Sequence, residues 1–275
     1  MSEGRLDVEG YFRRIGWSGP RSPTLETLRA IHARHPRAIA FENLDPFLRR
    51  PVKLDLASLE EKLVRAGRGG WCFEQNLLLA AVLRSLGFSV TGLAARVVWN
   101  APEGVVRPRG HMLLRVDVEG EPWLADVGFG GLTLTAPLRF QTGIEQPTPH
   151  EPFRLIESDG LFVLEALVRE AWRPLYRFDL QPQDNIDYEA ANWFLATHPA
   201  SHFITGLMAA RAAEDRRFAL VDRRLSTHML HGETKHRELA SVAELRAVLE
   251  EVFDIRVPSG PEIDARFEQL YGKDL

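Results

Sequence analysis

The residues best suited to chemistry lie in Arg68-Gly69-Gly70-Trp71-Cys72-Phe73-Glu74-Gln75-Asn76. Two glycines let the backbone turn sharply just ahead of a helical pattern. Cys72 then falls in the first turn of that helix, where free N–H groups and the positive end of the helix dipole favour an anionic sulfur. The same N–H groups can hold a developing oxyanion. A lone cysteine is also a common small core residue; the glycine turn and the helix-start position favour the nucleophile instead.

A thiol nucleophile needs a base, and the base needs a group that orients it. His111 opens the apolar strand pattern Gly110-His111-Met112-Leu113-Leu114-Arg115-Val116, which would fix its ring and set His111, Leu113 and Arg115 on one face. Eight other histidines compete: His32, His35, His150, His198, His202, His228, His231 and His236. Each of them reads as an exposed or hydrogen-bonded surface residue. Asp126 ends the apolar run Trp123-Leu124-Ala125. Buried there, it needs a partner such as an imidazole N–H; capping the turn before Gly128-Phe129-Gly130-Gly131 fits the spacing equally well. That glycine loop is neither a Walker nor a dinucleotide fingerprint, but it allows a phosphorylated ligand close to the backbone.

The elements that must position these groups change character along the chain. Residues up to 87 read mainly as helices: 7–14 stopped at Gly16, a pattern from Leu25 closed by Pro36, a serine–glutamate capping box at Ser58-Leu59-Glu60-Glu61 opening a helix to Gly67, and a helix over 72–86. Short β-branched and aromatic segments follow at 90–99, 111–118, 123–127, 153–156, 161–167 and 175–180, close together as in an antiparallel barrel or sandwich. Helical patterns return near 188–196 and 241–253. This segregation predicts an α+β fold and not an alternating βαβ chain.

Composition sets the outer bounds. The chain has 275 residues, 45% of them hydrophobic, with 34 Lys+Arg against 38 Asp+Glu and a net charge of −4. That is enough for one large or two modest domains and argues against nucleic acid as the default partner. One cysteine excludes an intrachain disulfide framework and any Cys₂ or Cys₄ zinc site. The longest aliphatic run, 77–83, is far short of the roughly 20 residues a membrane helix needs. No basic region followed by an apolar one opens the chain, so the expectation is a cytoplasmic protein away from membranes.

Segment 68–76 resembles the nucleophile motif of the arylamine N-acetyltransferases. His111-Met112-Leu113-Leu114 and Asp126-Val127-Gly128-Phe129-Gly130 are similar to that family's other two triad blocks, in the same order. Tyr11-Phe12-Arg13-Arg14-Ile15-Gly16, Ala40-Phe41-Glu42-Asn43-Leu44 and Ala196-Thr197-His198-Pro199-Ala200-Ser201-His202-Phe203 extend the likeness from residue 11 to about 203. Trp71, where a tyrosine is common, and Gly110, where threonine is frequent, depart from the pattern without removing a reacting group.

The resemblance implies a helical bundle over 1–87, an antiparallel β-barrel over 88–185 and an α/β lid over 186–275. Cys72, His111 and Asp126 would meet between the first two as a papain- or transglutaminase-like Cys-His-Asp core. It implies ping-pong transfer of an acetyl group from acetyl-CoA through Cys72 to arylamines, hydrazines or N-hydroxyarylamines, with no metal. Phe41, Val97 and Phe129 would line the acceptor pocket; Gly128, Gly130 and Gly131 would let CoA approach. Arg68 and Glu42 would pair to hold the cysteine loop. Small amines and CoA are the implied partners of a monomer or homodimer. Two rivals share these residues: an amide synthase of the same family, and a papain- or transglutaminase-like cysteine hydrolase.

Overall fold

A computed structural model describes residues 6–102 and 104–272. Helix α1 (Val8–Ile15) starts where Asp7 accepts the Gly10 N–H and stops where Gly16 turns left-handed. Helix α2 (Leu25–Ala38) is capped by the Thr24 side chain on the Thr27 N–H. It runs two residues past Pro36, where the sequence predicts a stop. Proline costs only its own N–H there, and the Ile39 N–H still closes the last turn on His35 O at 2.8 Å. The two-residue strand β1 (Phe41–Glu42) and helix α3 (Leu44–Phe47) follow.

The predicted capping box at Ser58 is not formed. Asp55 takes the cap position, accepting the Ser58 N–H at 3.0 Å, so helix α4 (Leu56–Leu59) begins earlier. The Glu60 carboxylate is committed to the Asp7 N–H at 2.7 Å, and the backbone widens into a π-helical stretch over Glu60–Arg65. Helix α5 (Cys72–Ser85) is buried on nearly every side, as its all-round apolar sequence demands. It runs through a core with Tyr11, Ile31, Leu63 and the outward-facing Met112, Leu114 and Val116.

Strands β2 (Ser89–Val97), β3 (His111–Val118), β4 (Glu121–Ala125), β5 (Leu138–Arg139), β6 (Phe153–Ser158), β7 (Leu161–Val168) and β8 (Ala171–Phe178) form one antiparallel sheet. Its order is β5-β4-β3-β2-β8-β7-β6. Isolated bridges Thr142↔Leu155 and Gln146↔Phe153 bring the chain after β5 back to β6, so the sheet is nearly closed. Leu93, Leu113, Leu124, Leu155, Leu175 and Phe178 fill its interior. Alternation thus gives β3 two buried faces, one in the barrel and one on α5.

Helices α6 (Asn185–Thr197) and α7 (His202–Thr205) lead to strands β9 (Met208–Ala212), β10 (Arg216–Val221), β11 (Arg224–Met229) and β12 (Thr234–Glu238), then to helices α8 (Val242–Glu251) and α9 (Pro261–Glu268). Strand β1 forms the edge of this second antiparallel sheet, pairing Phe41 with Ala210 and Glu42 with Ala209. Ala40, Leu44 and Phe47 pack with Leu207, Leu245, Phe253 and Phe267 in a third core. The residues just before the cysteine turn are therefore anchored in the C-terminal sheet.

Candidate active site

Cys72 is the first residue of α5, and the turn ahead of it is tied down on both sides. The Gly70 N–H donates to Ala40 O at 3.1 Å, and Gly70 O accepts the Glu42 N–H at 3.2 Å. Glu74 reaches back to accept the Trp71 N–H at 3.0 Å, satisfying a donor that the helix leaves unpaired. Behind the turn, the Arg68 guanidinium pairs with Glu42 at 2.7 Å and with Asp45 at 3.3 Å. Lys62 bridges Asp45 and Glu74 at 2.6 and 2.7 Å. Arg68 and Glu42 thus pair, as the family resemblance implies. Burial pushes the Glu74 carboxyl up to about 7 against the pull of Lys62.

His111 begins β3, and Asp126 lies just past the end of β4, on the neighbouring strand of the sheet. His111 Nε2 and Asp126 Oδ2 are 2.7 Å apart, at 2% and 0% exposure. Cys72 is 7% exposed, its Sγ lies 3.6 Å from Gly110 O, and the thiol favours the charged form of the same imidazole, whose Nε2 is the nitrogen engaged by Asp126. Burial opposes the charged imidazole, but the Asp126 charge and hydrogen bond, with a smaller contribution from Cys72, raise it to about 10. Asp126 is held below its ordinary range: burial raises it, and the His111 charge together with hydrogen bonds from His111, Asn76 and Gly128 outweighs that.

Asn76 joins the three. Its Nδ2 donates to Asp126 Oδ1 at 3.0 Å and to Met112 O at 2.8 Å, while its Oδ1 accepts the Val127 N–H at 3.1 Å. Asp126 Oδ1 also accepts the Gly128 N–H at 2.9 Å. The sequence motif around Cys72 contains Asn76 but does not by itself give it this place. The signal was its spacing, four residues after Cys72 and therefore on the same helix face. Tyr176 also belongs here: its ring centroid is 4.8 Å from that of His111, and it faces Val97 across β2 and β8. Nothing in a lone strand tyrosine marks it in advance.

Phe129 stands edge-on to His111 at 5.3 Å. Phe41 lies over Gly130 and 6.4 Å from Phe203, which in turn contacts Trp71 at 5.2 Å. The three glycines differ in surroundings. A Cβ on Gly128 would meet Cys72 Cα at 2.6 Å, one on Gly130 would touch the Phe41 ring at 3.4 Å, and beside Gly131 the space is open. Gly130 also has a φ of +87°, which favours glycine. Gly128→Ala is therefore expected to force the aspartate loop away from α5, costing about 1–3 kcal/mol of stability, which chemical denaturation with an unchanged m-value measures. Among the described residues there is no cluster of His, Cys, Asp and Glu that fits a metal ion.

The N-acetyltransferase family model matches residues 24–261. The arylamine N-acetyltransferase of Mycobacterium tuberculosis is 45% identical over 275 residues, covering 98% of this chain and 97% of that protein. An enzyme of Salmonella typhimurium named arylamine N-acetyltransferase / N-hydroxyarylamine O-acetyltransferase is 46% identical over 208 residues, covering 76% and 74%. The solved structure of the Mycobacterium marinum arylamine N-acetyltransferase in complex with CoA superposes with a TM-score of 0.92 at 43% identity, covering 96% of this chain and 99% of that one. The chain belongs to the arylamine N-acetyltransferase family of acyl-transferring enzymes.

Proposed function

We propose that the protein transfers an acetyl group from acetyl-CoA to arylamines, hydrazines or N-hydroxyarylamines in two steps, through a thioester on Cys72. The observation that carries this reading is the buried pair His111–Asp126, bonded at 2.7 Å, with the buried Cys72 at the start of α5 held against Gly110, the residue next to that histidine. A cationic His111 stabilises an anionic Cys72 sulfur beside it. That sulfur attacks the thioester carbonyl carbon, and the first-turn N–H groups of α5 support the oxyanion. The carbon–sulfur bond to CoA then breaks, and CoA leaves as a thiol with the proton held by His111. In the second step the amine nitrogen attacks the acetyl carbon, the bond to Cys72 breaks, and His111 takes the amine proton. Asp126 orients the ring and balances its charge throughout. Asp126 is itself fixed by Asn76 and the Gly128 N–H.

Phe41, Val97 and Phe129 form the wall on which an aryl group stacks. Gly128 and Gly130 shape the loop beside that wall, and the open space at Gly131 suits the approach of CoA. The CoA complex of the Mycobacterium marinum enzyme supports this donor, and the name of the Salmonella typhimurium relative supports hydroxylated acceptors. The burial of all three reacting groups favours small acceptors over the peptides of a hydrolase and keeps water from the acyl-enzyme. No helix among the described residues is long and apolar enough to cross a membrane.

Initial rates measured over a grid of acetyl-CoA and amine concentrations test the two-step order. Parallel double-reciprocal lines are expected, because CoA departs before the amine reacts. Lines that intersect would show a ternary complex and overturn the reading.

A further inference from the structure

Helix α2 carries two histidines one turn apart, His32 and His35, that are fully buried and not at the surface where the sequence places them, and each reaches a different side of the Cys72 site. Gln75, one turn into α5, fixes the direction of the first connection. Its Nε2 lies 2.9 Å from Ala40 O, 3.1 Å from Gly70 O and 3.2 Å from Ile39 O, all acceptors, so the amide nitrogen faces them. Gln75 Oε1 must then accept, and His35 Nε2, 2.6 Å away, must donate. His35 Nδ1 is left bare and accepts the Tyr11 hydroxyl at 2.8 Å. A directed chain thus runs from Tyr11 through His35 and Gln75 to Gly70 O, two residues before the nucleophile.

His32 serves the other side. Its Nε2 accepts the Asp126 backbone N–H at 3.2 Å, so the ring proton sits on Nδ1, a buried atom with no hydrogen-bond partner among the described residues. An orphaned buried donor costs stability, and an apolar side chain would fill this site without one. The acceptor offered to Asp126 is what imidazole adds here. Burial holds both rings neutral, pushing His32 down to about 3 and His35 down to about 4.

We infer that His32 and His35 are positioning residues, an uncharged brace on one helix that sets the Asp126 loop and the Cys72 turn relative to each other. This rests on the reading of Cys72 as the acyl-accepting nucleophile. Displacements on the order of 1 Å in such a site cost up to about a hundredfold in rate.

The test is the pre-steady-state burst with p-nitrophenyl acetate, in which amplitude counts folded active sites and rate per site reports their geometry. In His35→Leu and His32→Leu the burst rate is expected to fall about tenfold to a hundredfold, while His35→Gln, whose amide can still donate to Gln75, recovers most of it. Tyr11→Phe, which keeps the ring and loses only the hydroxyl, is expected to slow the burst severalfold; it decides the His35 arm should His35→Leu not fold. Smaller amplitudes at the parent rate would mean a merely structural role and overturn the inference, as would a His35→Gln enzyme as slow as His35→Leu. A parent enzyme with no burst would instead overturn the nucleophile reading beneath it.

Discussion

A Cys72→Ala variant is expected to fold like the parent and to lose acetyl transfer by at least about 10³-fold. Cys72 is the only sulfur nucleophile in the chain able to form a thioester, so no neighbouring thiol can take over. The substitution leaves the helix start intact, because the turn is held by Gly70, Glu74 and the Arg68 cluster and not by the thiol. Circular dichroism and the thermal midpoint verify the fold, and acetylated amine formed per enzyme reads the loss. A variant that turned over near the parent rate would remove Cys72 from the chemistry.

Asp126→Asn is expected to cost about 10³- to 10⁴-fold in kcat/KM for acetyl-CoA, for a reason legible in the hydrogen bonds. Asn76 Nδ2 and the Gly128 N–H both donate to Asp126 Oδ1. An asparagine must give its oxygen to those donors and turn its NH₂ toward His111 Nε2. Nε2 then has to accept, so the ring proton moves to Nδ1, the nitrogen left to act as base in the proposed mechanism. A neutral side chain also withdraws the charge that raises His111.

The pH dependence separates the two effects. In the parent, His111 is raised to about 10 despite its burial, chiefly by the Asp126 charge, and Asp126 is depressed by its donors. The stabilising contribution of a raised histidine is fully present below about 6.5 and fades as pH climbs through about 10. That of the depressed aspartate is present above about 3.9 and fades as pH falls through its lower folded value. The parent is expected to hold the full increment between about 3.9 and about 6.5 and to lose it progressively on either side, measured by denaturation across pH, and Asp126→Asn to show neither limb.

Much of the site was legible because its residues sit on short sequence signals: two glycines before a helix start, a histidine opening a strand, an aspartate at a strand end. The strand pairing then brings His111 and Asp126 within reach, as adjacent antiparallel strands require. What stayed hidden depends on contacts far apart in sequence. His32 meets Asp126 across 94 positions, and His35 meets Gln75 across 40. Strands β10 to β12 were hidden for a different reason. Lys235, His236 and Arg237 break the apolar alternation that announces a strand because β12 faces water, and Arg217 breaks it because it is buried against Glu151 at 2.7 Å. The extension of α2 past Pro36 and the shift from Ser58 to Asp55 as cap show local signals displaced by better-placed partners.

In the proposed two-step transfer the acetyl group rests on Cys72 between donor and acceptor. Intact-mass spectrometry of the enzyme mixed with acetyl-CoA alone, followed by peptide mapping, tests it most directly. One acetyl group is expected, located on Cys72, that forms without amine and disappears when an arylamine is added. Release of CoA only when amine is also present, with no adduct on the enzyme, would contradict it.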